Sequence, residues 1–376
     1  MRRMLTYFAI ACSLLIIASL SACTSETDSA GGDTRTVLMM PFSQRLCDAE
    51  TGMRRVLPTG FTPVAMAPGT SMIGFFTPNS GQSVAARIFT SEEDSQHWMT
   101  NITVDDTSEP CYIYGFMPVG AETTTDVSIS LPGGMTSYRQ GALMSIGNLK
   151  ALSAKDPCVV VGVKKGSSLT APIEDTDIRQ GQFAYTFEAA TRQEYVYMLF
   201  DHVMEALDVQ MKVSSSYSLL RQIRLKELQI VPLTAKTVDA TVHITATDDG
   251  TTPLTGSSPV AFSVKTAGEG EPVRLYKTAE GGDDCLLTTD YQQVGTCFAA
   301  TNITRFRMAA TYDVYDRAGN LIREGCSAEN TFNLGVVATE LKPGVKHHLL
   351  IEVNPTFLYV LSDPDLDNPT FTVTNN

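Results

Sequence analysis

The sequence predicts an all-β protein of antiparallel sandwich type, with one short helix, behind an N-terminal export segment. Three observations carry this reading. Apolar and polar residues alternate in many short runs, the period of a strand with one buried face. Turn clusters such as Pro132-Gly133-Gly134 and Asp248-Asp249-Gly250 separate those runs. Apolar residues make up 43% of the 376 residues and charged residues 18%, a composition suited to packed cores and unsuited to wholesale disorder.

The N-terminus comes first. Met1-Arg2-Arg3 is a basic start, and the run from Met4 to Leu20 is largely apolar. It is short for a membrane span and ends in small residues, so it reads as a secretory signal. Leu20-Ser21-Ala22-Cys23 then has the form of a bacterial lipobox. Lipid on Cys23, palmitate among its acyl chains, contributes about 0.8 kcal/mol per buried methylene, which holds a protein stably on the outer membrane. Thr24 to Thr34 contains no large apolar residue and several Ser, Gly, Asp and Glu, the composition of a flexible tether. The expected division is therefore a signal peptide over 1–22 and a lipidated tether over 23–35. Folded domains over 36–232 and 233–376 follow, with the boundary placed near Val231-Pro232-Leu233-Thr234.

Strands are expected in order along the body. Val37 to Met40 opens the folded part, followed by Cys111 to Phe116 and Val127 to Ser130. Cys158 to Val163 is continuously apolar, as in a strand buried on both faces. Phe183, Tyr185 and Phe187 alternate, as do Val209, Met211 and Val213; Ile223 and Leu225 are followed by Leu228 and Ile230. Val238 to Ile244, Phe306 to Tyr315, Phe332 to Val337 and His348 to Val353 complete the set. Between Glu194 and Leu207, Tyr197, Phe200, Met204 and Leu207 recur at steps of three and four, which predicts the one helix.

Charge narrows the function. Lys and Arg total 28 against 41 Asp and Glu, a formal charge of −13 that becomes −15 without Arg2 and Arg3. So acidic a surface repels phosphate backbones, and nucleic acid is excluded as a partner. Export implies an oxidising compartment, where Cys47, Cys111, Cys158, Cys285, Cys297 and Cys326 allow 15 disulfide connectivities. Cys285 and Cys297 flank a plausible hairpin and are the first pair to test. No C-x-x-C is present, and His97, His202, His243, His347 and His348 show no ligand spacing, so no metal or other cofactor is expected. His347 and His348 are neighbours on one strand and so point to opposite faces. Asp363, Asp365, Asp367 and Asn368 lack the Gly and Glu of a calcium loop and read as a solvated turn. With no G-x-S-x-G, H-E-x-x-H or phosphate-cradling loop, no enzyme is expected.

The carboxyl end carries a second signal. A strand from His348 to Val353 is followed by Asn354-Pro355, expected to break pairing, then by the apolar run Phe357-Leu358-Tyr359-Val360-Leu361 and a short last strand, Thr370 to Thr374. This ending, with the lipobox and with Leu199-Phe200-Asp201-His202 ahead of an alternating strand, resembles the fimbrillin-like subunits of Bacteroidales type V pili. The resemblance implies two transthyretin-like β-sandwich domains and a lipoprotein precursor on the outer membrane. It further implies that an Arg-specific protease removes the lipidated N-terminal piece with the first strand, and that a neighbour's C-terminal segment refills the groove.

The residues suit that scheme. Val37 to Phe42 would be the strand that is lost, and Arg45, Arg54 and Arg55 are the candidate processing sites, with Arg35 less favoured. A donor such as Phe357, Leu358, Tyr359, Val360 and Leu361 would bury three or four large side chains at roughly 1.5–3 kcal/mol each. Groove and donor on every copy make a head-to-tail contact that need not close, hence a filament. The expected function is a structural subunit of a cell-surface fimbrium, a shaft component serving adhesion and biofilm, with other copies or related fimbrial subunits as partners. The competing reading is a monomeric lipid-anchored surface protein that binds glycan or host protein.

Overall fold

The computed structural model describes residues 33–43, 46–48, 62–63, 69–77, 85–91, 97–104, 108–168, 180–246, 260–282, 284–334, 341–357 and 364–375. Within them the chain is built from β-strands. The first are β1 (Asp33–Ser43), β2 (Cys47–Asp48), β3 (Thr62–Pro63), β4 (Ser71–Thr77), β5 (Ala85–Thr90), β6 (Trp98–Val104), β7 (Cys111–Met117) and β8 (Asp126–Ser130). Next come β9 (Gly141–Lys150), β10 (Leu152–Ser153), β11 (Cys158–Gly166), β12 (Ala184–Tyr185), β13 (Gln193–His202), β14 (Glu205–Val213), β15 (Gln222–Pro232) and β16 (Ala235–Thr245). The last are β17 (Val260–Ala267), β18 (Val273–Lys277), β19 (Cys285–Leu286), β20 (Gln292–Ala299), β21 (Arg305–Tyr315), β22 (Leu321–Asn333), β23 (Val345–Phe357) and β24 (Pro364–Asn375).

Four sheets result. The largest runs β3-β1-β13-β11-β7-β4-β5, with β6 also on β1 and β12 on β7. A second runs β10-β20-β14-β23-β2, with β24 on β23. The others run β18-β15-β21-β22, with β19 on β15, and β17-β16-β9-β8. The pairing spans the boundary expected near Pro232: β16 is hydrogen-bonded to β9, and β14 to β20 and β23. Not all of it is antiparallel, because β1 runs parallel to β13 and β14 parallel to β23.

The helix expected over Glu194–Leu207 does not form. The segment is β13, a turn at Val203–Met204, and the start of β14. Every residue from Val196 to Val209 is buried, so both faces of the hairpin are covered and the period-two signal vanishes. An i, i+3, i+7 stripe then arises by default. A single helical turn, α1 (Ser215–Ser218), follows instead, capped by Ser214 Oγ accepting from the Tyr217 amide at 3.3 Å.

Two irregularities in the pattern are bulges. Ile223 and Leu225 are out of phase with Leu228 and Ile230, and the β15–β21 register slips between Leu225 and Glu227, returning both pairs to the core. At the carboxyl end β23 does not break at Asn354-Pro355. It runs on to Phe357, with the register against β24 shifting across Pro355, where the residue without an amide hydrogen is tolerated. The expected acidic turn is correspondingly shorter, because β24 already begins at Pro364.

Cys111, Cys158, Cys285, Cys297 and Cys326 are thiols, none bonded to another. The Cys285–Cys297 pair fails because the hairpin is absent: β19 joins β15 in one sheet, while β20 joins β14 in another.

Candidate assembly site

β1 is the strand expected to leave during maturation. It starts at Asp33, so the last residues of the predicted tether already belong to the fold. Val37, Leu38, Met39 and Phe42 are all buried, covering both faces of the strand. One edge pairs parallel with β13, from Thr36 opposite Gln193 to Ser43 opposite Phe200. The other pairs antiparallel with β6, from Asp33 opposite Val104 to Met39 opposite Trp98, and then with β3 at Phe42 and Pro63. β1 is an inner strand with a neighbour on each side. Phe42 meets Tyr197 edge-on at 5.6 Å between ring centroids, and Trp98 lies 6.1 Å from Phe200. Burying four such side chains stabilises the uncut chain by about 6–12 kcal/mol.

The predicted processing sites fall differently. Arg35 is 1% exposed within β1, its Nη2 donating to the Ala189 carbonyl at 3.4 Å, so no protease reaches it while β1 is in place. Arg45, Arg54 and Arg55 lie outside the described residues, as does Cys23. On leaving β1 the chain passes to the second sheet, where Cys47 and Asp48 of β2 pair with Val345 and Lys346 of β23.

The expected donor begins at Phe357, the last residue of β23; Leu358, Tyr359, Val360 and Leu361 lie outside the described residues. Beyond them, β24 pairs with β23 alone among the described residues.

Two polar clusters sit where the chain passes from the first sheet to the second. In one, His202 Nδ1 lies 2.7 Å from Asp156 Oδ2 and 3.7 Å from Cys158 Sγ. Acid and thiol share one ring nitrogen, so the imidazole cannot relay a proton between them as a catalytic triad requires. Burial, with Asp156 and Asp201 nearby, holds the Cys158 thiol well above its ordinary pKa, the reverse of an activated nucleophile.

In the other cluster, Glu205 Oε2 faces His347 Nε2 at 3.6 Å, and among the described residues neither Glu205 oxygen has a hydrogen-bond partner. Burial pushes the Glu205 carboxyl up to about 9 and, with His348 adjacent, pushes the His347 imidazole down. The two are neutral neighbours at pH 7 instead of an ion pair. His348 points to the opposite face, as its position next to His347 predicts, with Nδ1 2.8 Å from Asp208 Oδ2. Burial of Asp208 is outweighed by hydrogen bonds from Gln210, His348 and Thr296, which leave its pKa lowered. Asp156 and Glu205 were missed by motif reasoning. Asp156-Pro157-Cys158 gains a histidine only across strands, and Glu205 is an acid inside an apolar hairpin.

No family model matches the chain, and no curated protein matches it. Among solved structures it is similar to a candidate cell adhesion protein from Bacteroides fragilis, at a TM-score of 0.39 and 9% identity, over 90% of this chain and 97% of that one. It is similar to a fimbrial protein from Bacteroides vulgatus at 0.32 and 12%, covering 90% and 98%. For the fimbrial anchor protein Mfa2 from Porphyromonas gingivalis the values are 0.30 and 10%, covering 90% and 95%. Such values transfer no residue role and no partner. Among the described residues no helix is long and apolar enough to cross a membrane.

Proposed function

We propose that the chain is the precursor of a structural, non-enzymatic subunit of a cell-surface fimbrium, assembled by strand replacement. It would be held on the outer membrane through lipid on Cys23 until an Arg-specific protease cuts at Arg45, Arg54 or Arg55. The observation that carries the reading is the placement of β1. It is an inner strand, paired on both edges and with Val37, Leu38, Met39 and Phe42 buried, that follows the expected lipobox and tether and precedes the arginine-bearing segment in sequence. Its removal would leave the edges of β13 and β6 and an apolar slot, and unpaired edges of that kind invite another strand. The C-terminal segment from Phe357 of a second copy is the proposed donor, and the one-sided pairing of β24 supports this, because withdrawing it breaks a single ladder. A head-to-tail series of such contacts gives a shaft.

Trypsin treatment of the purified precursor tests this. The expected result is one early cut between Arg45 and Arg55, then ladders of SDS-resistant oligomers that disappear when residues 357–376 are deleted. Cut protein that stays monomeric refutes it. That outcome would favour a lipid-anchored binding protein, a reading supported by an open depression of about 540 Å³ lined by Lys164, Lys165, Glu188, Gln193 and Tyr195. Saturable sugar binding there would establish it.

A further inference from the structure

We propose that Asp156, Cys158 and His202 form a binding site for a zinc-class divalent cation, which would staple the chain where it crosses between the first two sheets. The pleat brings the three together. Asp156 and Cys158 are two residues apart, and residues so spaced share a face of an extended chain. Cys158 is directly opposite His202 in the β11–β13 register, and cross-strand partners face each other on one side of the sheet. The Val203 amide donates to the Pro157 carbonyl at 2.8 Å, fixing the backbones beside the cluster.

The three donor atoms lie within 4.8 Å of one another. A tetrahedral ion with bonds of about 2.0 Å to nitrogen and oxygen and 2.3 Å to sulfur holds its ligands roughly 3.3–3.5 Å apart. The 3.7 Å between His202 Nδ1 and Cys158 Sγ already fits, and the 2.7 Å between Nδ1 and Asp156 Oδ2 must open slightly. Asp156 is the member able to move, since it precedes β11 and its side chain is 26% exposed. Among the described residues its Oδ1 is buried with no hydrogen-bond partner, a spare acceptor within the cluster.

The donor set selects the ion. Thiolate, imidazole and carboxylate together suit zinc and disfavour calcium and magnesium, which want oxygen alone. One thiolate, one carboxylate and one neutral imidazole around a dipositive ion sum to zero charge, which suits a cluster whose Cys158 and His202 are buried. On binding, the Cys158 S–H bond breaks, its electron pair passes to the metal and the proton leaves to water, while the imidazole proton that Nδ1 donates to Asp156 is exchanged for one on Nε2 so that the Nδ1 lone pair faces the metal; a fourth position remains for water. Asp156 lies between β10 of the second sheet and β11 of the first, and His202 ends β13 just before β14 of the second. Both ligand-bearing segments are thus crossings between the same two sheets.

The test uses the whole chain carrying Cys23→Ser, kept reduced and titrated with Co²⁺ and then Zn²⁺. One equivalent of Co²⁺ should give a thiolate-to-cobalt charge-transfer band and the intense visible bands of a tetrahedral site, both lost on adding one equivalent of Zn²⁺. Cys158→Ser should abolish the charge-transfer band, His202→Gln should weaken binding at least tenfold, and Cys297→Ser should change neither. Absence of the band in the unmutated site, or its survival in Cys158→Ser, overturns the proposal. If Cys158→Ser does not fold, X-ray absorption of the zinc-loaded, unmutated site decides. Sulfur with nitrogen or oxygen in the first shell supports the site, and a shell without sulfur overturns it.

Discussion

Glu205 makes the stability of this protein fall through neutral pH. Its side chain is fully buried, both oxygens lack hydrogen-bond partners among the described residues, and its folded pKa is about 9 against an ordinary 4.5. A carboxyl raised in the folded state stays protonated there while the unfolded chain has released its proton. Stability is therefore greatest below about 4.5 and is lost as pH rises toward 9, at about 1.4 kcal/mol per pH unit. His347 acts oppositely. Its folded pKa is lowered below 6.5, so its contribution is present above 6.5 and lost as pH falls. Just below pH 6.5 the His347 slope opposes that of Glu205; from pH 7 to 8 the Glu205 slope runs unopposed by His347. Urea unfolding followed by circular dichroism at pH 7 and 8 should show the chain losing about 1.4 kcal/mol. Glu205→Gln, which keeps the shape and removes the proton, should lose almost none of it. Burial, with Glu205 adding to it, also pushes the Cys297 thiol up, so both chains carry Cys297→Ser and the difference between them isolates Glu205. An equal loss in the two chains would refute the reasoning.

Trp98, the single tryptophan, is buried opposite Met39 of β1, so its emission should shift to the red when the cut N-terminal segment is stripped away and return on assembly. Unchanged emission would show that β1 had not left. Met39→Asp should destabilise the uncut chain by about 3 kcal/mol or more in urea unfolding, yet leave oligomer ladders from the cut protein intact, because the residue departs with β1. The Glu194 carboxylate is buried and accepts from Tyr185 Oη, the Glu188 amide and Thr191 Oγ1 at 2.7–3.0 Å; Glu194→Ala should cost about 3 kcal/mol by the same measurement.

Legibility in the sequence followed burial. Strands with one covered face, such as β15 and β16, print their period in the residues, and even the phase slip at Lys226 is visible between Leu225 and Leu228. β11 was also readable, because an unbroken Cys158–Val163 run is too short for a helix. The β13–β14 hairpin was not: two covered strands joined by a two-residue turn look like one long apolar segment. Residues joined by strand register were equally hidden. No spacing connects Asp156 to His202, or Glu205 to His347, because each pair depends on which strands lie side by side. β1 was recognisable as a strand, but its inner position comes from the return of β6 and β13 to its two edges.

That inner position bears on why a cut would be needed at all. An edge strand exchanges by breaking one ladder, so subunits built that way risk pairing prematurely on the membrane. β1 is held by β13 on one side and β6 and β3 on the other, with Val37, Leu38, Met39 and Phe42 buried. Releasing it from an intact chain means losing two ladders and about 6–12 kcal/mol of apolar burial at once, with no partner yet bound to compensate. The intact chain should therefore stay closed at any concentration. Cleavage does not itself expel the strand; it converts a covalently tethered element into a separate segment, which dilutes away once dissociated and leaves the slot to a donor attached to a whole subunit. Assembly should then depend steeply on donor concentration after the cut and not at all before it. A mixture of uncut chain with a large excess of a synthetic peptide spanning residues 357–376 should show no incorporation, and the same peptide should cap the cut protein as a monomer.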